Sequence, residues 1–240
     1  MISIIVPAHD EERWIGKCLD SIRASMERLT EPYEVIVVDD ASTDSTHQIA
    51  QQMSARVLRV EHRKISAVRN AGVRAASGEV LFFVDADTRV NEPAVRAALA
   101  AIRSGAAGGG CVPEIEGPIP WWARSILFFA VPLARWICWA GGCFLFCTRE
   151  AYRAAGGFSE TMYAGEDLAF VEALKKVGRF VVLKPMVVTS GRKLDVVGPW
   201  EVMRLMLRIA IRGPHYESEK TLDFIYGQRA QECRKLVKPA

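Results

Sequence analysis

The sequence contains no Cys-x-x-Cys pair and no histidines grouped at zinc-ligand spacing, which removes the usual small zinc sites. Its six cysteines are Cys18, Cys111, Cys138, Cys143, Cys147 and Cys233. Most lie in apolar runs and read as reduced thiols packed as small hydrophobes, the pattern of a cytoplasmic chain. No GxGxxG follows an apolar run and no GxxxxGK[ST] occurs. A dinucleotide-dependent dehydrogenase and a P-loop phosphotransferase therefore lose their main support. Basic residues are scattered and the formal net charge is only +3, so the concentrated basic face of a nucleic-acid binder is missing. No basic leader with an apolar core and cleavage site is present, so no signal peptide is expected. The greasiest segment runs from Ile119 to Cys147 and is broken by Arg124, Pro132, Arg135 and Gly141-Gly142. Its longest charge-free run before Arg135 is too short to span a bilayer; a buried or membrane-surface segment is expected instead.

What is present suits one folded domain. The 240 residues are half hydrophobic and one quarter charged, enough for a single well-buried α/β domain. Apolar runs of strand character, Ile2–Val6, Glu34–Val38, Arg56–Val60 and Glu79–Val84, alternate with helical spacing over Glu12–Arg28, from Ser42 or Thr43 to Met53, and over Ser66–Ala76. Asn91 caps a fourth helix, with Pro93 in its first turn and Gly105 near its end. The later chain is less regular. Strands are expected over Gly108–Ile115, Gly142–Cys147, Phe180–Leu183 and Met186–Thr189. Helices are expected over Trp121–Trp139, kinked at Pro132, and over Gly165–Val177, Pro199–Arg212 and Glu217–Arg234. Strand–helix alternation implies a mostly parallel sheet covered by helices on both faces.

In such a sheet, ligands bind beyond the carboxyl ends of the strands. The polar groups there are Pro7-Ala8-His9-Asp10-Glu11-Glu12, Asp39-Asp40-Ala41-Ser42-Thr43-Asp44 and Asp85-Ala86-Asp87, so three strands deliver acids to one rim. In extended backbone, Asp85 and Asp87 face the same way. Two such carboxylates repel unless a cation sits between or beside them, and Mg²⁺ or Mn²⁺ is the natural occupant. A pair of turn aspartates is the plainer alternative. Asp39 or Asp40 can accept from a nucleobase imide or a ribose, or can serve a helix cap. Glu166-Asp167 opens a helix, where acids are stabilising in any case. A hydroxyl acceptor, however, needs a base in reach.

The ordered set Ser3-Ile4-Ile5-Val6-Pro7-Ala8-His9-Asp10-Glu11-Glu12, Val37-Val38-Asp39-Asp40-Ala41-Ser42, Arg69-Asn70-Ala71-Gly72 and Val84-Asp85-Ala86-Asp87 resembles family 2 of the glycosyltransferases. Gly156-Gly157-Phe158 and Gly165-Glu166-Asp167 continue the resemblance, which covers roughly residues 2–185. It implies a GT-A fold, a Rossmann-like, mostly parallel sheet flanked by helices in a single domain over residues 1–240. Residues 1–107 would form the nucleotide-sugar half and residues 108–240 the acceptor half with the C-terminal helices. It implies an inverting transfer from a nucleotide-sugar donor, UDP-linked by expectation, to a sugar, lipid or small-molecule hydroxyl.

The same resemblance assigns Asp10 and Glu11 to the nucleoside, Asp39 to the base and Arg69 to the neighbourhood of the donor. Asp85 goes to the ribose or metal, Asp87 to the metal, and Asp167 to the catalytic base with Glu166 as its catalytic neighbour; Pro7, Ala8, Asp40 and Ala86 complete the expected nucleotide-sugar contacts. His215 is a candidate further ligand to Mn²⁺ or Mg²⁺, and Arg192 a candidate diphosphate clamp following a strand. A lone histidine and a solvated turn are the plainer readings of those two. Two positions depart from the pattern. His9-Asp10 stands where an aromatic residue and Asn are commoner, and Lys64 where a glycine often precedes Arg69-Asn70. The dense Trp121, Trp122, Trp136 and Trp139 can stack on an acceptor or settle at a membrane surface; core packing serves equally. A sugar nucleotidyltransferase is the rival enzyme, but it needs a glycine-rich basic loop after the first strand, where this chain is acidic. A catalytically inactive nucleotide-sugar-binding module is the third reading.

Overall fold

The computed structural model describes residues 1–117, 140–162 and 165–191. The first half alternates as its sequence pattern dictates: β1 Ile2–Ala8, α1 Ile15–Glu27, β2 Tyr33–Asp40, α2 Thr46–Gln52, β3 Arg56–Val60, α3 Ile65–Ala75 and β4 Val80–Val84. A two-residue strand, β5 Thr88–Arg89, precedes α4 Glu92–Arg103. The second half supplies β6 Gly108–Cys111, β7 Glu114–Glu116, β8 Phe144–Thr148, α5 Arg149–Ala154, α6 Glu166–Val177, β9 Phe180–Leu183 and β10 Val188–Ser190.

Seven strands form one sheet in the order β3-β2-β1-β4-β8-β6-β9. β1, β2, β3 and β4 pair in parallel, with Ile5 opposite both Ile36 and Phe83. β8 runs antiparallel to β4 and to β6, so the sheet is mixed at this point. Alternation sorts the apolar residues onto two faces. Ile2, Ile4, Val6, Ala8, Val37, Phe82 and Val84 pack with α1 and α4. Ile5, Ile36, Val38, Leu81 and Phe83 pack with α3 and α6. Strands buried on both faces need near-continuous apolar runs, which these segments have.

Local chemistry fixes the helix ends. Asn91 Oδ1 accepts the Ala94 N–H at 2.9 Å and caps α4, as the sequence predicts. The expected cap of α2 at Ser42 or Thr43 is displaced: the helix starts at Thr46, whose N–H donates to Asp44 Oδ1 at 2.9 Å. α3 lies close on the sheet because Gly72 has no side chain. A Cβ there would come within 2.4 Å of Ile5 Cγ2 and 3.0 Å of Val38 Cγ2. Two elements escape the sequence pattern, β5 and α5, as does the pairing of β5, β10 and β7 into a small sheet; β10 falls on the strand expected over Met186–Thr189. The single strand expected over Gly108–Ile115 is two, because the chain leaves the large sheet after Cys111 and joins the small one at Glu114. The segments expected to be helical over 121–139, 199–212 and 217–234 lie outside the described residues.

Candidate active site

The carboxyl ends of β1, β2 and β4 meet at one edge, as parallel topology requires. The loops after β1 and β2 are laced together. His9 Nδ1 donates to the Asp40 carbonyl at 2.6 Å, and the Asp10 N–H donates to Ser42 Oγ at 3.1 Å. Asp10 Oδ1 accepts the Thr43 N–H at 2.7 Å, and the Glu11 N–H donates to Thr46 Oγ1 at 2.7 Å. Asp10 and Ala41 both hold positive φ, at 52° and 55°. Left-handed backbone at non-glycine residues costs about 1 kcal/mol or more and persists only where the surroundings enforce it. These cross-loop bonds supply the enforcement.

The two β2 aspartates turn inward. Asp39 is fully buried; Oδ1 accepts the Ser42 N–H at 3.0 Å, and Oδ2 pairs with His47 Nδ1 at 3.0 Å. Asp40 Oδ1 accepts the N–H groups of His62 and Arg63 at 2.7 and 3.0 Å. The resemblance assigns Asp39 to the nucleobase and Asp40 to the nucleotide-sugar; the contacts described for both tie the two adjoining loops together. Pro7, Ala8 and Ala86 are likewise buried, which leaves their backbone to shape the rim. Asp10 is exposed and Glu11 half-buried.

The Asp85-Ala86-Asp87 turn is held from several sides. The Asp85 N–H donates to the Cys143 carbonyl at 3.1 Å, and the Asp85 carbonyl accepts from Thr88 N–H at 2.9 Å and from the Cys18 thiol at 3.6 Å. The Asp87 carbonyl accepts the Ser190 N–H at 3.2 Å, and Thr189 Oγ1 lies 3.5 Å from Asp87 Oδ1. The small sheet therefore exists at the site and braces Asp87. Burial pushes the Cys18 thiol pKa up, and the charges of Asp87, Asp85 and Glu11 push it further. Burial likewise raises Cys143, assisted by Cys111, Asp85, Asp87 and Asp167.

Arg69 is expected at the donor but lies inside the protein, only 2% exposed. Nη2 donates to Asp85 Oδ1 at 2.8 Å and to the Gly142 carbonyl at 3.2 Å, and Nη1 donates to Glu166 Oε1 at 3.3 Å. Its guanidinium also lies 5.2 Å from the centre of the Phe158 ring. Burial opposes the cation, but Asp85, Glu166 and Asp167 more than offset it and raise its pKa. Burial, with the Asp167 charge, pushes Glu166 up to about 7, Arg69 acting the other way. Glu166 is buried, whereas Asp167 is half-exposed and Asp85 sits with part of its carboxylate open. A Cβ on Gly142 would lie 2.7 Å from Asp167 Oδ2 and 3.2 Å from Arg69 Nη2. The glycine therefore lets Asp167 and Arg69 approach one point. Sequence reading treats Gly141-Gly142 as a helix breaker and misses this role; no spacing signal marks it.

Among the described residues, no three His, Cys, Asp or Glu side chains gather closely enough to hold a metal alone. Two hard carboxylates at the end of β4, in a field of excess negative charge, still fit Mg²⁺ or Mn²⁺. Such ions take one or two protein carboxylates and complete their shell with substrate phosphates and water. Arg192 and His215 lie outside the described residues.

Residues 3–161 match the family model for glycosyl transferase family 2. The chain belongs to that family. Glycosyltransferase GlyA of Streptococcus pneumoniae is 36% identical over 99 residues, which is 38% of this chain and 13% of that protein. The chain spans less than a third of the length of several such curated relatives, from 13% for GlyA to 32% for glycosyltransferase GlyG of Streptococcus pneumoniae. TarS 1-349 of S. aureus in complex with UDP-GlcNAc has a similar structure: TM-score 0.63, 20% identity, 97% of this chain covered and 72% of that one. Mannosyltransferase PcManGT from Pyrobaculum calidifontis, in complex with GDP-Man and Mn²⁺, gives 0.65 at 18% identity, covering 100% and 76%. This family 2 chain therefore has the GT-A-type architecture, a mostly parallel sheet flanked by helices.

Proposed function

We propose that the protein is an inverting glycosyltransferase moving a sugar from a nucleotide-diphosphate sugar, a UDP-sugar foremost, to the hydroxyl of a sugar, lipid or small-molecule acceptor. One observation carries this reading: Asp85 at the end of β4 and Asp167 at the start of α6 flank the same guanidinium and the same glycine, Arg69 and Gly142. That both the acid assigned here to the donor end and the acid assigned here to the acceptor end border Arg69 supports the reading. Membership of family 2 supports the reaction class. The UDP-GlcNAc and the GDP-Man with Mn²⁺ bound by the two structural neighbours support the donor class and the cation.

The laced loops after β1 and β2 would receive the nucleoside, with Asp10 and Glu11 at their open face. Asp87 and Asp85 would hold Mn²⁺ or Mg²⁺, with His215 as a further ligand and Arg192 at the diphosphate. That cation would offset the charge developing on the leaving nucleotide. Asp167 accepts the proton of the acceptor hydroxyl as its oxygen bonds to the anomeric carbon from the face opposite the diphosphate. The bond from that carbon to the diphosphate oxygen breaks in the same displacement, so configuration inverts. Glu166, buried against Arg69, stays out of proton transfer.

Asp167→Asn should cut turnover by about 10²- to 10⁴-fold while leaving affinity for UDP with Mn²⁺ close to that of the parent. Asp87→Ala should abolish metal-dependent nucleotide binding, read by calorimetry with UDP or GDP and Mn²⁺. Parent-like turnover in Asp167→Asn overturns the assignment of the base.

The accompanying localisation is cytoplasmic, with peripheral contact to the inner membrane face through the expected 119–147 segment as far as residue 139; Phe144–Cys147 take no part, because they are buried in β8 inside the large sheet. No described helix is long and apolar enough to cross a membrane. Co-flotation of the protein with anionic liposomes, lost when Trp121 and Trp122 become alanine, is the expected outcome. Absence of co-flotation removes the membrane contact.

A further inference from the structure

We propose that Arg69 is a positioning residue that locks the two halves of the site together, rather than a contact to the donor. Three facts carry this beyond the expected role. The side chain is 2% exposed, which leaves almost no surface for a substrate. Both terminal nitrogens are spent on protein oxygens from three separate elements: Asp85 after β4, Gly142 before β8 and Glu166 opening α6. Its plane lies 5.2 Å from the Phe158 ring, which fixes the fork from a fourth segment. The guanidinium suits this task because its donors sit in a rigid planar fork and it stays charged when buried.

The consequence is geometric. Asp85 and Glu166 are held by one rigid group, so the turn bearing Asp87 and the helix start bearing Asp167 cannot shift independently. Gly142 completes the arrangement. Its φ is not in the left-handed region, so alanine suits the backbone there, yet a Cβ would press on Asp167 Oδ2 at 2.7 Å. Gly142→Ala therefore presses on Asp167 and, at 3.2 Å, on Arg69 Nη2 by sterics, without changing any charge. Lysine at position 69 keeps the charge but loses the fork and can hold only one partner well.

The inference rests on the reading of Asp167 as base, and two measurements separate its failure from that one. The first is calorimetric affinity for UDP or GDP with Mn²⁺. The second is nucleotide release from UDP-glucose, UDP-N-acetylglucosamine and GDP-mannose, with water as acceptor. Arg69→Lys is expected to lose roughly 10–100-fold in both, as for other residues that orient ligating or reacting groups. Asp167→Asn should lose turnover alone. In the Asp167→Asn background, adding Arg69→Lys should cost turnover about twofold or less, because the two act as a unit. Gly142→Ala, which keeps every charge, should lose turnover, and this keeps the test open if Arg69→Lys does not fold.

Parent-like affinity and turnover in Arg69→Lys, or turnover losses that multiply in the double variant, overturn the positioning role while leaving the base assigned. Parent-like turnover in Gly142→Ala also overturns it. If Asp167→Asn releases nucleotide at the parent rate, or if neither UDP nor GDP binds with Mn²⁺, the reading of the site falls and this inference with it.

Discussion

At the residue scale, the site is a balance of buried charge. Arg69 stands among Asp85, Glu166 and Asp167, so one cation faces three acids. Removing one member of a buried ion pair leaves the other uncompensated, which costs more than the pair contributes. Glu166 shows the strain most clearly, with a pKa pushed from 4.5 up to about 7 by burial and by Asp167. The sign follows from linkage. Between those two values the folded protein keeps a proton that the unfolded chain has released, so stability falls as pH rises through that window. The slope is at most about 1.4 kcal/mol per pH unit for this one group. Glu166→Gln removes it. The parent-minus-variant stability from urea unfolding should therefore decline between pH 4.5 and 7, and a difference that stays flat contradicts the raised pKa. Asp85 and Asp87 stand out in the sequence because they follow an apolar strand run, whereas Asp167 opens a helix, where acids are common, and only the family resemblance singles it out. The inward turn of Asp39, Asp40 and Arg69 is not legible, since nothing in a motif says whether a polar side chain meets a ligand or a neighbouring loop.

At the element scale, α3 is the piece that carries Arg69 to the site, and its seat on the sheet depends on Gly72. Gly72→Ala drives a methyl into Ile5 and Val38, both buried. Overpacking of this kind costs about 1–3 kcal/mol. In a chain of this size, that lowers the melting temperature by about 2–4 °C per kcal/mol. The expected outcome by differential scanning calorimetry is a clear fall in Tm; an unchanged Tm means that the helix relaxes freely on the sheet. The regular elements up to α4 follow from apolar periodicity, and Asn91 announces its own helix start. β5 and the separate β7 do not, because two- and three-residue strands have no periodicity of their own; β10 falls on the strand expected over Met186–Thr189, but its partners are not legible. They form because Thr88 and Glu114 find partners in Thr189 and Val188, some 75–100 residues away in sequence. That long-range pairing braces Asp87 through Thr189 and Ser190.

At the scale of the whole molecule, the parallel half and the mixed half meet at β4 and β8. β4 ends at Val84, one residue before Asp85, and β8 begins two residues after Gly142. The site therefore lies where strand direction reverses, and the strand ends there open a crevice to ligands. Strand–helix alternation in the sequence predicts the parallel half. The antiparallel insertion of β8 between β4 and β6 is set by the pairing of Leu81 with Cys147 and Phe83 with Leu145, and sequence order alone does not specify it. The central claim is that this junction performs cation-assisted displacement with Asp167 as base. Nucleotide release from the UDP- and GDP-sugar panel, measured for the parent and Asp167→Asn with Mn²⁺ and again with EDTA, tests it most directly. The account predicts release by the parent with Mn²⁺, loss of that release in EDTA, and a fall of about 10²-fold or more in Asp167→Asn. Release that persists unchanged in EDTA, or in Asp167→Asn, would contradict it.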